Sequence, residues 1–258
     1  MEKNKHKGYG AILGDIIGSP YEMNPIYTKN FKFFNKDEHF TDDTIMTIAT
    51  MSKLLNNSNY TVEYKYWGMK HFGDYYGKLF KEWLHRPDFT SNDSFGNGAA
   101  MRVSPIGYAI YDVGYAQDEA TLSAKSSHDN PQAIKAAKFI VSSIGALNEM
   151  KDKEEYERFC RAWYGLLFPW QLTRYDKFKV SCDYTVPQAA RCFLDSDDIE
   201  GAIRNAVSIG GDCDTVASMA AELANAHRGG MDSKMAGYVE HMITPDMLYV
   251  LKAFNERF

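Results

Sequence analysis

The amino-acid sequence predicts an all-α protein, a single multi-helix domain, and three observations carry that prediction. Apolar residues recur at helical spacing along most of the 258 residues. Helix start and stop residues bound many of these stripes. No alternating strand series, internal repeat or low-complexity linker is present. Helix upon helix with short connections fits one compact domain over residues 1–258, with residues 1–7 as a flexible polar start. At 45% hydrophobic and 24% charged, the chain has ample material for one sizeable core.

The elements follow in order. Gly8 to Gly18 carries glycines at 10, 14 and 18, a flat face for close helix contact. A loop with Pro20 and Pro25 encloses Glu22, and Phe31-Lys32-Phe33-Phe34 reads as a short extended piece, too short to anchor a sheet. Thr44 to Leu55 is a helix with Ile45, Ile48, Ala49, Ser52 and Leu55 on one stripe, entered through Thr41-Asp42-Asp43. Thr61 to His85 is aromatic-rich helix, with Gly68, Gly73 and Gly77 as candidate breaks. Ser94 to Arg102 opens a further helical run to about Tyr111. Asn130-Pro131 supplies an N-cap and a first-turn proline for a helix to Met150. Asp197 with Glu200 is a capping-box variant for the helix ending at Ser208. Gly210-Gly211-Asp212 leads into the small-residue run Val216 to Ala226, which Gly229-Gly230 can stop. Thr244-Pro245-Asp246 starts the last helix.

Composition excludes several functions. Net charge is −5 with no long run of like charge, which argues against a nucleic-acid partner. No apolar stretch reaches the 18 residues of a membrane span, and Met1 to Lys7 lacks the apolar core of a signal peptide, so a soluble cytoplasmic protein is expected. Cys160, Cys182, Cys192 and Cys213 form no C-x-x-C pair and read as free thiols. Cys213 lies between two aspartates, which disfavour a thiolate, so it is not read as a nucleophile.

The chemistry-bearing signal is a pair of acidic helix starts far apart in sequence. Thr41, Asp42 and Asp43 begin one helix; Asp212, Asp214 and Thr215 begin another. Free N–H groups and the positive dipole end of each helix favour ionised carboxylates there. If the two starts meet, four carboxylates and two hydroxyls surround one point, at a cost that cations must offset. An all-oxygen donor set suits Mg²⁺, Mn²⁺ or Ca²⁺ rather than zinc or copper, and two ions bridged by carboxylates would fill it. Asp212-x-Asp214-x-Val216 also fits the D-x-D-x-[TV] nucleophile signature of haloacid-dehalogenase-like phosphohydrolases, a reading that requires a strand before Asp212. Gly96 to Met101, with Asn97-Gly98 at its centre, offers backbone N–H groups to a phosphate or pyrophosphate, a turn-plus-cap being the alternative. His128 follows Ser127 and precedes Asp129, an adjacency that does not make a triad.

Five stretches in order, spanning residues 14 to 215, resemble the ADP-ribosylglycohydrolase family: Gly14-Asp15-x-x-Gly18-Ser19-Pro20-Tyr21-Glu22, Thr41-Asp42-Asp43-Thr44, Gly96-Asn97-Gly98-Ala99-Ala100-Met101-Arg102, Ser127-His128 and Gly210-Gly211-Asp212-x-Asp214-Thr215. The resemblance implies an all-α fold with two Mg²⁺ or Mn²⁺ ions in a cleft. It implies Thr41, Asp42, Asp43, Asp212, Asp214 and Thr215 as the metal shell, with Glu22 and Asp212 as the catalytic carboxylates. Gly96, Asn97, Gly98, Ala99 and Met101 are implied to wrap the ADP-ribose phosphates, with His128 beside the substrate. Ala99-Ala100 stands where relatives often have glycine or serine, which leaves backbone donors there and no hydroxyl. The implied activity is metal-dependent hydrolysis of the bond between ADP-ribose and a protein side chain or small conjugate. A phosphohydrolase using Asp212 and a non-catalytic ADP-ribose binder are the alternatives.

Overall fold

A computed structural model of the chain describes residues 6–150, 152–175 and 177–258. Residues 1–5 of the expected polar start lie outside it. Lys7 is buried, and its backbone N–H donates to Asn255 Oδ1 at 2.8 Å.

The described residues form thirteen α-helices and no strand. They are α1 (Tyr9–Gly18), α2 (Asp42–Asn56), α3 (Tyr60–Lys70), α4 (Lys78–His85), α5 (Ser104–Ala109), α6 (Val113–Lys125), α7 (Pro131–Glu149), α8 (Lys153–Tyr164), α9 (Cys182–Leu194), α10 (Ile199–Ile209), α11 (Cys213–Arg228), α12 (Ser233–Met242) and α13 (Pro245–Arg257). None is long and apolar enough to cross a membrane. Two isolated bridges, Asn92 with His128 and Gly96 with Ser181, are the only extended pairings among the described residues.

The centre of the fold is α11, which is buried from Cys213 to Ala226. Its alanines and serine leave little bulk, and α1 answers with glycines. A Cβ on Gly10 would lie 2.6 Å from the Ala221 carbonyl oxygen. One on Gly14 would lie 2.2 Å from that of Ala217, and one on Gly18 2.5 Å from Asp214 Cα. The flat glycine face expected from the sequence is this contact. Because residue numbers rise along α1 as they fall along α11, the helices run antiparallel, and the end of α1 meets the start of α11. α7, α9 and α10 also pack on α11, and α2 packs on α1, burying one continuous apolar cluster.

Several local expectations change. Phe31 to Phe34 forms no extended pairing; Phe34 takes φ 59° and its ring meets Tyr238 at 4.5 Å, so aromatic packing decides the path. The cap of α10 is Asp198, whose carboxylate accepts from the Gly201 N–H, rather than Asp197. The 61–85 segment breaks between Lys70 and Lys78, while Gly68 stays inside α3, where a Cβ would strike Leu84. The run after Ser94 is interrupted by a short turn, Asn97–Ala99, before α5 starts at Ser104 with Pro105 in its first turn. Helices α6, α8, α9 and α12 have no separate bounds in the sequence reading.

Candidate metal and substrate site

The antiparallel packing sets the N-termini of α2 and α11 beside the C-terminus of α1. There Asp42, Asp212, Asp214, Thr215 and Glu22 line a cavity of about 310 Å³. Asp43 and Thr41 lie just behind it, buried. The short turn Ser19–Tyr21 that ends α1 delivers Glu22 to the same place. One oxygen from each of Glu22, Asp212 and Asp214 falls within a 4.8 Å span, and so does one from each of Asp15, Asp43 and Asp214. Asp214 thus joins two groups of three carboxylates.

Of these helix-start carboxylates Asp214 accepts a first-turn N–H, that of Thr215 at 2.9 Å. Neither Asp212 nor Thr41 makes a side-chain cap. Instead the Asn97 amide donates to Asp212 Oδ2 at 2.5 Å, and the Thr215 hydroxyl to Asp43 Oδ2 at 2.9 Å. Asp43 Oδ1 is buried with no hydrogen-bond partner among the described residues. Burial first, and neighbouring carboxylates second, push Asp42, Asp43 and Asp214 well above the usual carboxylate range. Burial raises Asp212 too, against the Asn97 bond. Glu22 is pushed up to about 7 by burial, Asp212 and Asp15. Once the two helix starts meet, their dipoles alone do not offset this burial, and opposite charge is required, as the gathering of four carboxylates implies. An orphaned buried oxygen among all-oxygen donors fits hard divalent cations.

Two residues were missed as functional although both stood inside quoted motifs. Asp15 is fully buried and accepts four hydrogen bonds: from the Thr41 N–H (2.9 Å) and hydroxyl (2.6 Å), and from the Thr44 N–H (3.0 Å) and hydroxyl (2.5 Å). Three of these donors converge on Oδ2 and one on Oδ1, so Asp15 orients the start of α2 while its carboxylate stays within reach of Asp43 and Asp214. Arg102 is buried at the far side of the cavity, 4.0 Å from the Tyr64 ring, with Nε and Nη1 unpartnered among the described residues. Its Nη2 donates to Ser127 Oγ at 2.9 Å, which in turn lies 2.8 Å from His128 Nδ1. Burial and the Arg102 charge hold the imidazole neutral, its pKa lowered to about 3. Asp15 is legible as an ionisable side chain inside an otherwise buried helix stripe, whereas Arg102 lies in the turn before α5 and carries no such signal.

The loop expected to wrap phosphates is narrowed. Gly96, Asn97, Gly98, Met101 and His128 line the cavity, whereas Ala99 faces the core, fully buried. The N–H of Asn97 is taken by the Val180 carbonyl, and those of Ala100 and Met101 by Asn97. The Gly96 N–H donates to Ser94 Oγ. The donor this turn leaves at the cavity is the Gly98 N–H. A Cβ on Gly98 would stand 3.3 Å from His128 Nε2, so glycine keeps that approach open. All four thiols are buried and unpaired, and burial pushes Cys213 up, in keeping with no nucleophilic role.

Comparison with known proteins matches residues 8–233 to the sequence profile described as ADP-ribosylglycohydrolase. The chain is 27% identical to ADP-ribosylhydrolase ARH3 of Xenopus tropicalis, over 85% of each chain. It is 24% identical to ADP-ribosylhydrolase ARH3 of Homo sapiens, over 85% of this chain and 84% of that one. A solved structure titled ADP-ribosylglycohydrolase-related protein complex superposes with a TM-score of 0.76 over 99% of both chains at 19% identity, a likeness of fold.

Proposed function

The chain belongs to the ADP-ribosylglycohydrolase family, and from that premise we propose that it hydrolyses the glycosidic bond between ADP-ribose and a modified protein side chain or related conjugate. The observation that carries this reading is the cluster of Glu22, Asp42, Asp212 and Asp214 lining one cavity, with the Gly98 turn and a neutral His128 on its other wall.

Asp42, Asp43, Asp212 and Asp214, with the hydroxyls of Thr41 and Thr215, would hold two Mg²⁺ or Mn²⁺ ions. When bound, such ions supply charge neutralisation, orientation of sugar hydroxyls and a lowered pKa for water. Asp15 fixes the α2 start, and Asn97 fixes Asp212, so the carboxylates are set before substrate arrives. Glu22 reaches the cavity from a different element and moves the proton at the bond being broken. The remaining carboxylates favour the positive charge that develops on the ribose ring during glycosidic cleavage. The Gly98 N–H faces the pyrophosphate. His128, neutral and tied to Ser127 through Nδ1, presents Nε2 to the same loop.

The phosphohydrolase alternative needs a strand before Asp212, and the chain has α10 and two glycines there. The deciding experiment incubates the protein with ADP-ribosyl-serine and ADP-ribosyl-arginine peptides in Mg²⁺, Mn²⁺ or chelator. Free ADP-ribose that disappears on chelation and in Asp212→Ala is expected. Binding of ADP-ribose without release from either peptide would make the chain a binder, and orthophosphate from simple esters would restore the alternative.

A further inference from the structure

A second cavity of about 240 Å³ adjoins the first and shares Glu22 and Phe178 with it as a common wall. Met23, Pro25, Tyr27, Tyr175, Lys177 and Gly211 complete its lining. The two tyrosines explain a feature that the turn alone does not: why both residues before Asp212 are glycine. Gly210 and Gly211 hold φ of 74° and 71°, which already favours glycine. A Cβ on Gly210 would also lie 2.6 Å from the Tyr27 ring, and one on Gly211 2.9 Å from the Tyr175 ring.

The walls are tied in place. Arg174 Nη2 donates to the Tyr27 carbonyl at 2.9 Å, joining the loop after Glu22 to the loop before α9. The Tyr175 N–H donates to the Ile209 carbonyl at the end of α10. Arg204 of α10 donates to the carbonyls of Lys29 and Phe31. The Tyr175 hydroxyl is buried without a partner among the described residues.

Charge on the loop before α9 runs against that of the chain, whose net charge is −5, whereas the loop from Glu22 to Glu38 is balanced, with Lys29, Lys32 and Lys36 against Glu22, Asp37 and Glu38. Residues 171–180 carry Arg174, Lys177 and Lys179 against Asp176 alone. Lys177 is exposed and lines the cavity itself. A cationic segment entering here meets like charge, while an acidic one is drawn in.

Resting on the glycohydrolase reading, we propose that the second cavity is the leaving-group subsite and that its cationic lip selects side chains set in acidic peptide segments. ADP-ribose occupies the first cavity, the bond to be broken lies at the Glu22 junction, and Tyr27 and Tyr175 cover the departing side chain. The specificity-determining residue is Lys177.

The test compares kcat/KM of the full chain, with Mn²⁺, on two serine-linked ADP-ribosyl peptides of equal length, one flanked by Asp and Glu, the other by Lys and Arg. At low salt the acidic peptide is expected to be turned over about tenfold better. The preference should shrink at high salt, as screening shortens the reach of exposed charges. Lys177→Glu should invert the ratio. Equal rates on the two peptides in low salt, or a ratio that Lys177→Glu leaves in place, would overturn the proposal. ADP-ribose joined to a small neutral nitrophenol separates the failures. Release from it without peptide preference removes the subsite alone, whereas no release from any substrate removes the glycohydrolase reading and the subsite with it.

Discussion

Both ends of the α1–α11 pair bury carboxylates, and they satisfy them in opposite ways. At the Gly10 end, Glu222 accepts from the Gly8 N–H (3.1 Å), the Ala11 N–H (2.6 Å), the Tyr108 hydroxyl (2.5 Å) and the Asn225 amide (3.1 Å). At the Gly18 end, Asp43 leaves one oxygen without a partner among the described residues, and Asp42 and Asp214 are raised well above their usual range by burial and by neighbouring carboxylates such as Asp212 and Asp15. Burial of charge is common to both ends, so burial does not mark the functional one. The donor inventory separates them: Glu222 receives a donor on each oxygen, whereas Asp43 Oδ1 receives none among the described residues, the state that suits a cation. Asp15 resembles Glu222 within the site, with a donor on each oxygen.

The sharpest way to break this comparison is Asp214→Asn. Because Asp214 joins both carboxylate groups, ADP-ribose release should fall on the order of a thousandfold, beyond the roughly 10–100-fold typical of outer-sphere residues. The Tm in chelator should hold or rise, since a repelling charge is gone. A Tm loss as large as that of the Glu222 variant would erase the distinction.

Glu222→Ala is the mirror experiment. It strands four donors and opens space in the core, and chemical denaturation should show a loss of about 3–5 kcal/mol. The loss should be the same with chelator as with Mn²⁺. Next in size is the effect of the ions. Divalent cation at roughly a hundred times its Kd should stabilise the wild type by about 2.7 kcal/mol, read as a Tm rise that chelator reverses. Asp43→Asn should remove most of that rise.

The smallest effect lies at a surface acid far from both ends. Burial raises the Asp246 carboxyl, but hydrogen bonds from Lys70, Thr244 and His71 outweigh it and hold the group well below the ordinary range. A depressed folded-state pKa stabilises above the unfolded carboxylate value of about 3.9 and is lost as pH falls through the folded value. Asp246→Asn should therefore lower Tm by less than about 2 °C near neutral pH. The difference should fade in acid. A larger gap would mean that donor count at the surface matters as it does in the core.

How much was legible follows from where each signal resides. The glycine face of α1, the caps at Asn130 and the stop at Gly229 were readable because spacing and turn chemistry act over a few residues. The cap of α10 was misplaced by one residue because Asp197 and Asp198 are equally good acceptors by type, and only the backbone path chooses Asp198. Phe31 to Phe34 looked extended because aromatics favour strands, yet no neighbouring strand exists to pair with them.

By itself the sequence determined the all-α class, the two acidic helix starts, the glycine-lined turn and the family resemblance, since each is written in local order. Tertiary structure decided which carboxylate oxygens receive donors, that Ala99 faces the core while Gly98 faces the cavity, and that Gly210 and Gly211 make room for two tyrosines. These depend on partners as far as 200 residues apart in sequence. A side chain's type sets how many hydrogen bonds it can make, and only packing settles how many it receives.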